Sequence, residues 1–127
     1  MNKAIVRAVV VEDNIQMRGL IHMVLGSFAV REIAEAQNGV EAIAALQAGG
    51  ADIVIMDWKM DVMDGLECTR RIRAGIEGID PTLPIILLTG NVGKESEAAA
   101  YAAGASLFME KPFSLKQLHA GVTKVLG

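Results

Sequence analysis

With 127 residues, 52% of them hydrophobic, the chain is long enough for one ordinary domain with a single core and too short for two. A formal net charge of -3 excludes a protein built to coat nucleic acid, because phosphate binding needs a clustered surplus of Lys and Arg, seen here only briefly at Arg70, Arg71 and Arg73. The lone cysteine, Cys68, can close no internal disulfide or structural zinc site, and no run approaches the roughly 18 to 20 apolar residues of a membrane span, so a soluble, cytoplasmic chain is expected, with neither nucleic acid nor membrane as partner.

Ile5 to Val11 is a short apolar run rich in β-branched side chains and ends at an acidic pair, as a strand buried on both faces of a parallel sheet should. After Asn14, the residues Ile15, Leu20, Ile21, Val24 and Leu25 recur at helical spacing, and Gly26 is a stop. Ala29 to Ala34 reads as a weaker strand, Gly39 to Ala48 as a helix closed by Gly49 and Gly50, and Asp52 to Met56 as a strongly apolar strand. Asp64, with Glu67 three residues later, offers a cap and capping box for a helix over Gly65 to Ala74. A Gly- and Pro-containing loop leads to a strand at Pro84 to Leu88, a small-residue helix at Lys94 to Ala103, a short strand at Ser106 to Met109 and a closing amphipathic helix at Ser114 to Leu126. Five strands alternating with five helices predict an α/β fold with a doubly wound parallel sheet, whose ligand site lies beyond the carboxyl ends of the strands.

Those strand ends carry Glu12 and Asp13, Asp57, Thr89 and Lys111. Carboxylates from two strand ends repel one another unless a cation lies between them, and Mg2+ is the simplest choice, with Asp13 and Asp57 as direct ligands and Glu12 acting through water. A carboxylate can attack phosphorus to give an aspartyl phosphate, and Asp57, ending the most apolar strand, is the acceptor this pattern nominates. Lys111 would then offer a compact positive charge and Thr89 a hydroxyl to the phosphoryl oxygens. Each residue alone also has a plainer role: Glu12, Asp13 and Asn14 as a helix cap, Asp57 and Thr89 as turn residues, Lys111 as a solvated charge. The joint pattern favours the reactive reading, because four separate strand ends carry what one reaction needs.

The segments Val-Val-Val-Glu-Asp-Asn, Met-Asp-Trp-Lys-Met-Asp-Val-Met-Asp-Gly-Leu-Glu around Asp57, Leu-Leu-Thr-Gly and Glu-Lys-Pro-Phe resemble the receiver domains of response regulators in two-component signalling, in order and over essentially the whole chain. The resemblance implies one receiver domain over residues 1–127 with a flavodoxin-like (βα)5 sheet in strand order 2-1-3-4-5. It further implies that Glu12 and Asp13 form an acidic Mg2+ pocket completed by the main-chain carbonyl of Lys59, and that Asp57 is phosphorylated by a histidine kinase or phosphotransfer protein. Thr89 and Lys111 would bind the phosphoryl group, the Lys111 to Pro112 peptide would be cis, and Phe108 would be the aromatic switch that turns inward when Thr89 is drawn toward Asp57. On the same grounds the output face is the fourth helix, fifth strand and fifth helix, where a downstream protein or a second copy docks. Such a chain is a signalling switch, not an enzyme on other substrates.

Several positions depart from the family pattern. Met60 is followed by Asp61 where a proline is common, Lys59 and Asn91 flank the path of attacking water, and Gly90 leaves the pocket wall open. Lys59 is therefore expected to alter the dephosphorylation rate. A haloacid-dehalogenase-like phosphatase, the nearest enzymatic rival, would need an Asp two residues after the nucleophile, where Lys59 stands; a flavodoxin-like flavin carrier would need a phosphate-binding loop where Glu12 and Asp13 repel phosphate. His22 and His119 lack metal-ligand spacing, and the seven methionines suit core packing. A stand-alone relay is favoured over a receiver piece of a larger regulator with a separate output domain.

Overall fold

The computed structural model describes residues 4–75, 78–90 and 94–127. Five strands, β1 (Arg7–Val11), β2 (Glu32–Glu35), β3 (Ile53–Asp57), β4 (Ile85–Thr89) and β5 (Leu107–Glu110), alternate with five helices, α1 (Ile15–Gly26), α2 (Gly39–Gly49), α3 (Gly65–Arg73), α4 (Lys94–Ala103) and α5 (Leu115–Leu126). The strands form one parallel sheet in the order β2-β1-β3-β4-β5, the flavodoxin-like arrangement expected. The order reverses between β1 and β3, which is where such a sheet opens a crevice.

Continuous apolar runs make the three central strands, because both faces of this sheet are covered. Ala8, Val10, Ile53, Ile55, Ile86 and Leu88 point to one side and pack with Ile21, Val24 and Leu25 of α1 and Leu118 and Val122 of α5. Val9, Val11, Val54, Met56, Ile85 and Leu87 point to the other, against Ala42, Ile43 and Leu46 of α2, Cys68 and Ile72 of α3 and Ala100 of α4. The two-residue period of each strand thus splits one apolar run between two cores.

Caps fix where the helices begin. Asn14, Asn38 and Asp64 each accept the N–H three residues on, from Met17, Glu41 and Glu67. At α3 the Glu67 carboxylate pairs forward with Arg71 Nε at 3.3 Å. The reciprocal capping box forms instead at α5, between Ser114 and Gln117.

Three strands end one residue later than their apolar runs, at Asp57, Thr89 and Glu110, since backbone pairing continues onto the polar residue that follows. The largest displacement is at β2. Ala29 stands in a left-handed turn at φ 58 after α1, and Ile5 donates its N–H to the Phe28 carbonyl, so pairing with β1 starts only at Glu32 opposite Arg7.

Candidate functional site at the carboxyl ends of the strands

The crevice at the strand-order reversal is a cleft of about 450 Å3 lined by Val11, Glu12, Asp13, Gln37, Asp57, Trp58, Lys59, Met60, Asp61 and Asp64. Glu12 and Asp13 leave the end of β1 and Asp57 ends β3, and one carboxylate oxygen from each lies within 4.8 Å of the others. Asp13 is exposed, Asp57 half-buried, and Glu12 only 4% exposed.

Glu12 is fixed from two directions. Its Oε2 accepts the Asn14 N–H at 3.0 Å, and Lys111 Nζ stands 2.6 Å from its Oε1 as an ion-pair contact off hydrogen-bond geometry. The same ammonium lies 3.2 Å from Asp57 Oδ2, so one cation bridges two strand ends. Lys111 directly follows β5 and donates its N–H to the Thr89 carbonyl at 2.7 Å; its peptide to Pro112 is cis, as expected.

The charges do not balance. Burial, and then the neighbouring Glu12, push the Asp57 carboxyl above its ordinary pKa, with Lys111 only partly opposing them. Burial works against the Lys111 ammonium, but Glu12 and Asp57 outweigh it and hold the lysine above its usual value. One ammonium, paired with Glu12 and Asp57, faces a cluster of three carboxylates that present hard oxygen donors, the chemistry that suits a small divalent cation with retained waters. Mg2+ therefore fits the donor set.

The end of β3 is held closely from behind. Trp58 donates its N–H to the Leu88 carbonyl at 2.8 Å and accepts from Gly65 at the same distance. A Cβ on Gly65 would press into the Asp57 carbonyl and come 3.1 Å from Trp58 Cα, so only glycine lets α3 approach the end of β3 this tightly. Thr89, 2% exposed, ends β4 one residue beyond Leu88, the register partner of Asp57. Phe108 is buried on β5 with its ring edge-on to Trp58, centroids 6.4 Å apart at 81°.

The structure thus brings Glu12, Asp13, Asp57 and Lys111 together, puts Lys59 in the cleft wall, and sets Thr89 on the strand beside Asp57. Asn91 lies outside the described residues. Sequence reasoning did not anticipate the Lys111 bridge to Glu12, the cleft-lining places of Gln37 and Asp64, or the bond by which the Tyr101 hydroxyl accepts the Phe108 N–H at 3.2 Å. Tyr101, the one aromatic on a small-residue helix, was the signal available for the last. The two histidines are accounted for elsewhere: His22 Nε2 lies 3.0 Å from Glu35 and His119 stacks on Phe28. Among the described residues, no helix is long and apolar enough to cross a membrane.

The chain is similar to known proteins over nearly its whole length. The response regulator receiver domain family matches residues 8–123. The chemotaxis protein CheY1 of Helicobacter pylori is 33% identical over 95% of this chain and 97% of its own length. The CheY4 chemotaxis protein of Vibrio cholerae superposes with a TM-score of 0.79 at 29% identity, covering 97% of this chain and 100% of that one. A receiver domain of a Pseudomonas aeruginosa sensor histidine kinase, solved with a magnesium ion coordinated in its active-site cleft, gives a TM-score of 0.79 at 29% identity, over 95% of this chain and 97% of that one.

Proposed function

Because the chain belongs to the response regulator receiver domain family of two-component signalling, we propose that it is a single phosphoacceptor unit whose Asp57 takes a phosphoryl group in a Mg2+-dependent reaction. The observation that carries this reading is the convergence of Glu12, Asp13 and Asp57 on one cleft with Lys111 Nζ 3.2 Å from Asp57.

An oxygen of the Asp57 carboxylate forms a bond to phosphorus while the bond from phosphorus to the donor breaks, and the donor leaves with that electron pair. The donor is a phosphohistidine of a kinase or phosphotransfer protein, or a small acyl phosphate. Asp13 and Asp57 would hold Mg2+ directly, with Glu12 acting through water and the Lys59 carbonyl completing the set; the bound ion supplies neutralisation of charge on the phosphoryl oxygens. Burial at the end of β3 keeps the Asp57 nucleophile rigid and poorly hydrated. Lys111, 3.2 Å from Asp57, would pass from a carboxylate oxygen to a phosphoryl oxygen, and the Thr89 hydroxyl would donate to another.

The new group carries a charge of about -1.5 to -2 and would draw Thr89 toward Asp57, with Phe108 filling the space beneath. Output then passes to the surface of α4, β5 and α5, which takes a downstream protein or a second copy. The chain so read is a relay component of the cytoplasm, acting on its own acyl phosphate and on no other substrate.

Intact mass after incubation with acetyl phosphate, with and without Mg2+, tests this for wild type and Asp57→Asn. A metal-dependent phosphoryl adduct absent from the variant is expected. An adduct that forms equally on Asp57→Asn would place the chemistry elsewhere.

A further inference from the structure

The order of strands leaves β5 at the edge of the sheet, paired only with β4. N–H groups alternate in direction along a strand, and Lys111 donates inward to the Thr89 carbonyl at 2.7 Å. Phe108, three residues earlier, therefore aims its N–H away from β4 to the open edge, where no strand can accept it. The Tyr101 hydroxyl on α4 accepts it at 3.2 Å. Tyr101 is itself 44% exposed, so burial of its ring does not account for its position, whereas an unmet edge donor does. Ala98, Ala99, Ala102 and Ala103 around it give α4 little bulk of its own to pack there.

Phe108 is consequently held at two points. Its backbone is tied to α4 through Tyr101, and its ring lies edge-on to Trp58, the residue next to Asp57. A continuous set of contacts runs from the acceptor through Trp58 and Phe108 to an exposed phenol on α4.

We propose that Tyr101 is a positioning residue for the switch: by accepting the edge N–H of Phe108 it keeps that ring in its buried place against Trp58 and couples α4 to the acceptor. This rests on the phosphoacceptor reading above and adds the contact through which α4 responds to Phe108. If phosphorylation favours the buried ring, the buried ring must favour phosphorylation by the same factor. Removing the acceptor oxygen should then lower the phosphorylated fraction without touching the metal ligands. One net hydrogen bond of this kind corresponds to about three- to tenfold.

The experiment compares wild type and Tyr101→Phe as full chains. Three quantities are read: amide hydrogen exchange at Phe108, Mg2+ affinity from Trp58 fluorescence, and phosphoryl adduct by mass at limiting acetyl phosphate. Expected for the variant are Phe108 exchange faster by about three- to tenfold, unchanged Mg2+ affinity, and a several-fold lower adduct level. Unchanged exchange at Phe108 would show that the bond is absent in solution and overturn the proposal. Faster exchange with an unchanged adduct level would reduce Tyr101 to a structural tie and overturn it equally. A wild type that takes no phosphoryl group would sink the proposed function and the coupling with it, while exchange at Phe108 would still report on the bond.

Discussion

The Asp57 carboxyl is drawn out of water at the end of β3 and faces Glu12, so its pKa lies above the ordinary 3.8, and the Lys111 ammonium only partly offsets those two effects. A raised carboxyl pKa means the folded chain binds this proton more tightly than the unfolded chain. Stability is therefore favoured below 3.8 and declines as pH rises through the higher folded value, leaving a standing penalty at neutral pH. Asp57→Asn removes the ionisation, and in metal-free buffer at pH 7 it should raise unfolding stability. Urea denaturation at pH 7 and pH 4.5 checks the direction: the gain should shrink at the lower pH, and a gain independent of pH would mean that charge is not its source. Lys59, exposed in the cleft wall, would screen the proposed acyl phosphate from water, so Lys59→Asn should speed its decay by about threefold, the scale of one solvent-exposed charge interaction. An unchanged half-life of the adduct would remove that role. The residues of this cleft were readable in sequence because Glu12, Asp57, Thr89 and Lys111 each follow an apolar run, and strand ends meet in a parallel sheet. What could not be read was the partner each side chain takes. That Lys111 spans from Asp57 to the buried Glu12 depends on side-chain reach across three strands, which spacing along the chain does not encode.

At the level of elements, the position of Asp57 depends on how closely α3 approaches β3. Gly65 follows the Asp64 cap directly and donates to the Trp58 carbonyl at 2.8 Å, so any side chain there meets the backbone of Asp57 and Trp58, not a side chain able to swing aside. Gly65→Ala should lower stability by about 1–3 kcal/mol, the usual effect of overpacking, and should also cut phosphorylation because the strand end must shift. Denaturant midpoints and adduct formation measured together test this; a stable variant with wild-type phosphorylation would show that α3 moves freely. The sequence marked this helix start through its cap, and marked all ten elements through apolar runs and caps. It misplaced β2 because half-buried edge strands carry a weak pattern: Glu32 and Glu35 bracket only Ile33 and Ala34, and it is the register against β1, a tertiary contact, that sets the pairing. The one-residue extension of β3, β4 and β5 has a related cause, since backbone pairing is indifferent to the polarity of the side chain it carries onto the next residue.

For the whole molecule, the unbalanced cleft makes stability a readout of metal binding. Glu12, Asp13 and Asp57 gather from two strand ends only when the sheet is folded, so the proposed Mg2+ site would exist in the native chain and have no equivalent in the unfolded one. Under that condition, Mg2+ at 100 times its dissociation constant adds about 2.7 kcal/mol, which for a domain of this length raises Tm by roughly 10 °C. The rise should reverse with EDTA and should be largely lost in Asp13→Asn. Asp57→Asn should also lose it while starting from a higher metal-free Tm, because that substitution removes a ligand and a repulsion together. This opposition separates a metal site from a general salt effect, which would stabilise all three proteins alike. Thermal scans of wild type and both variants, with EDTA and with saturating Mg2+, decide the matter: parallel shifts in all three would mean that the ion acts on surface charge, and Lys111, paired with Glu12 and Asp57, would then be the cation that balances the cluster.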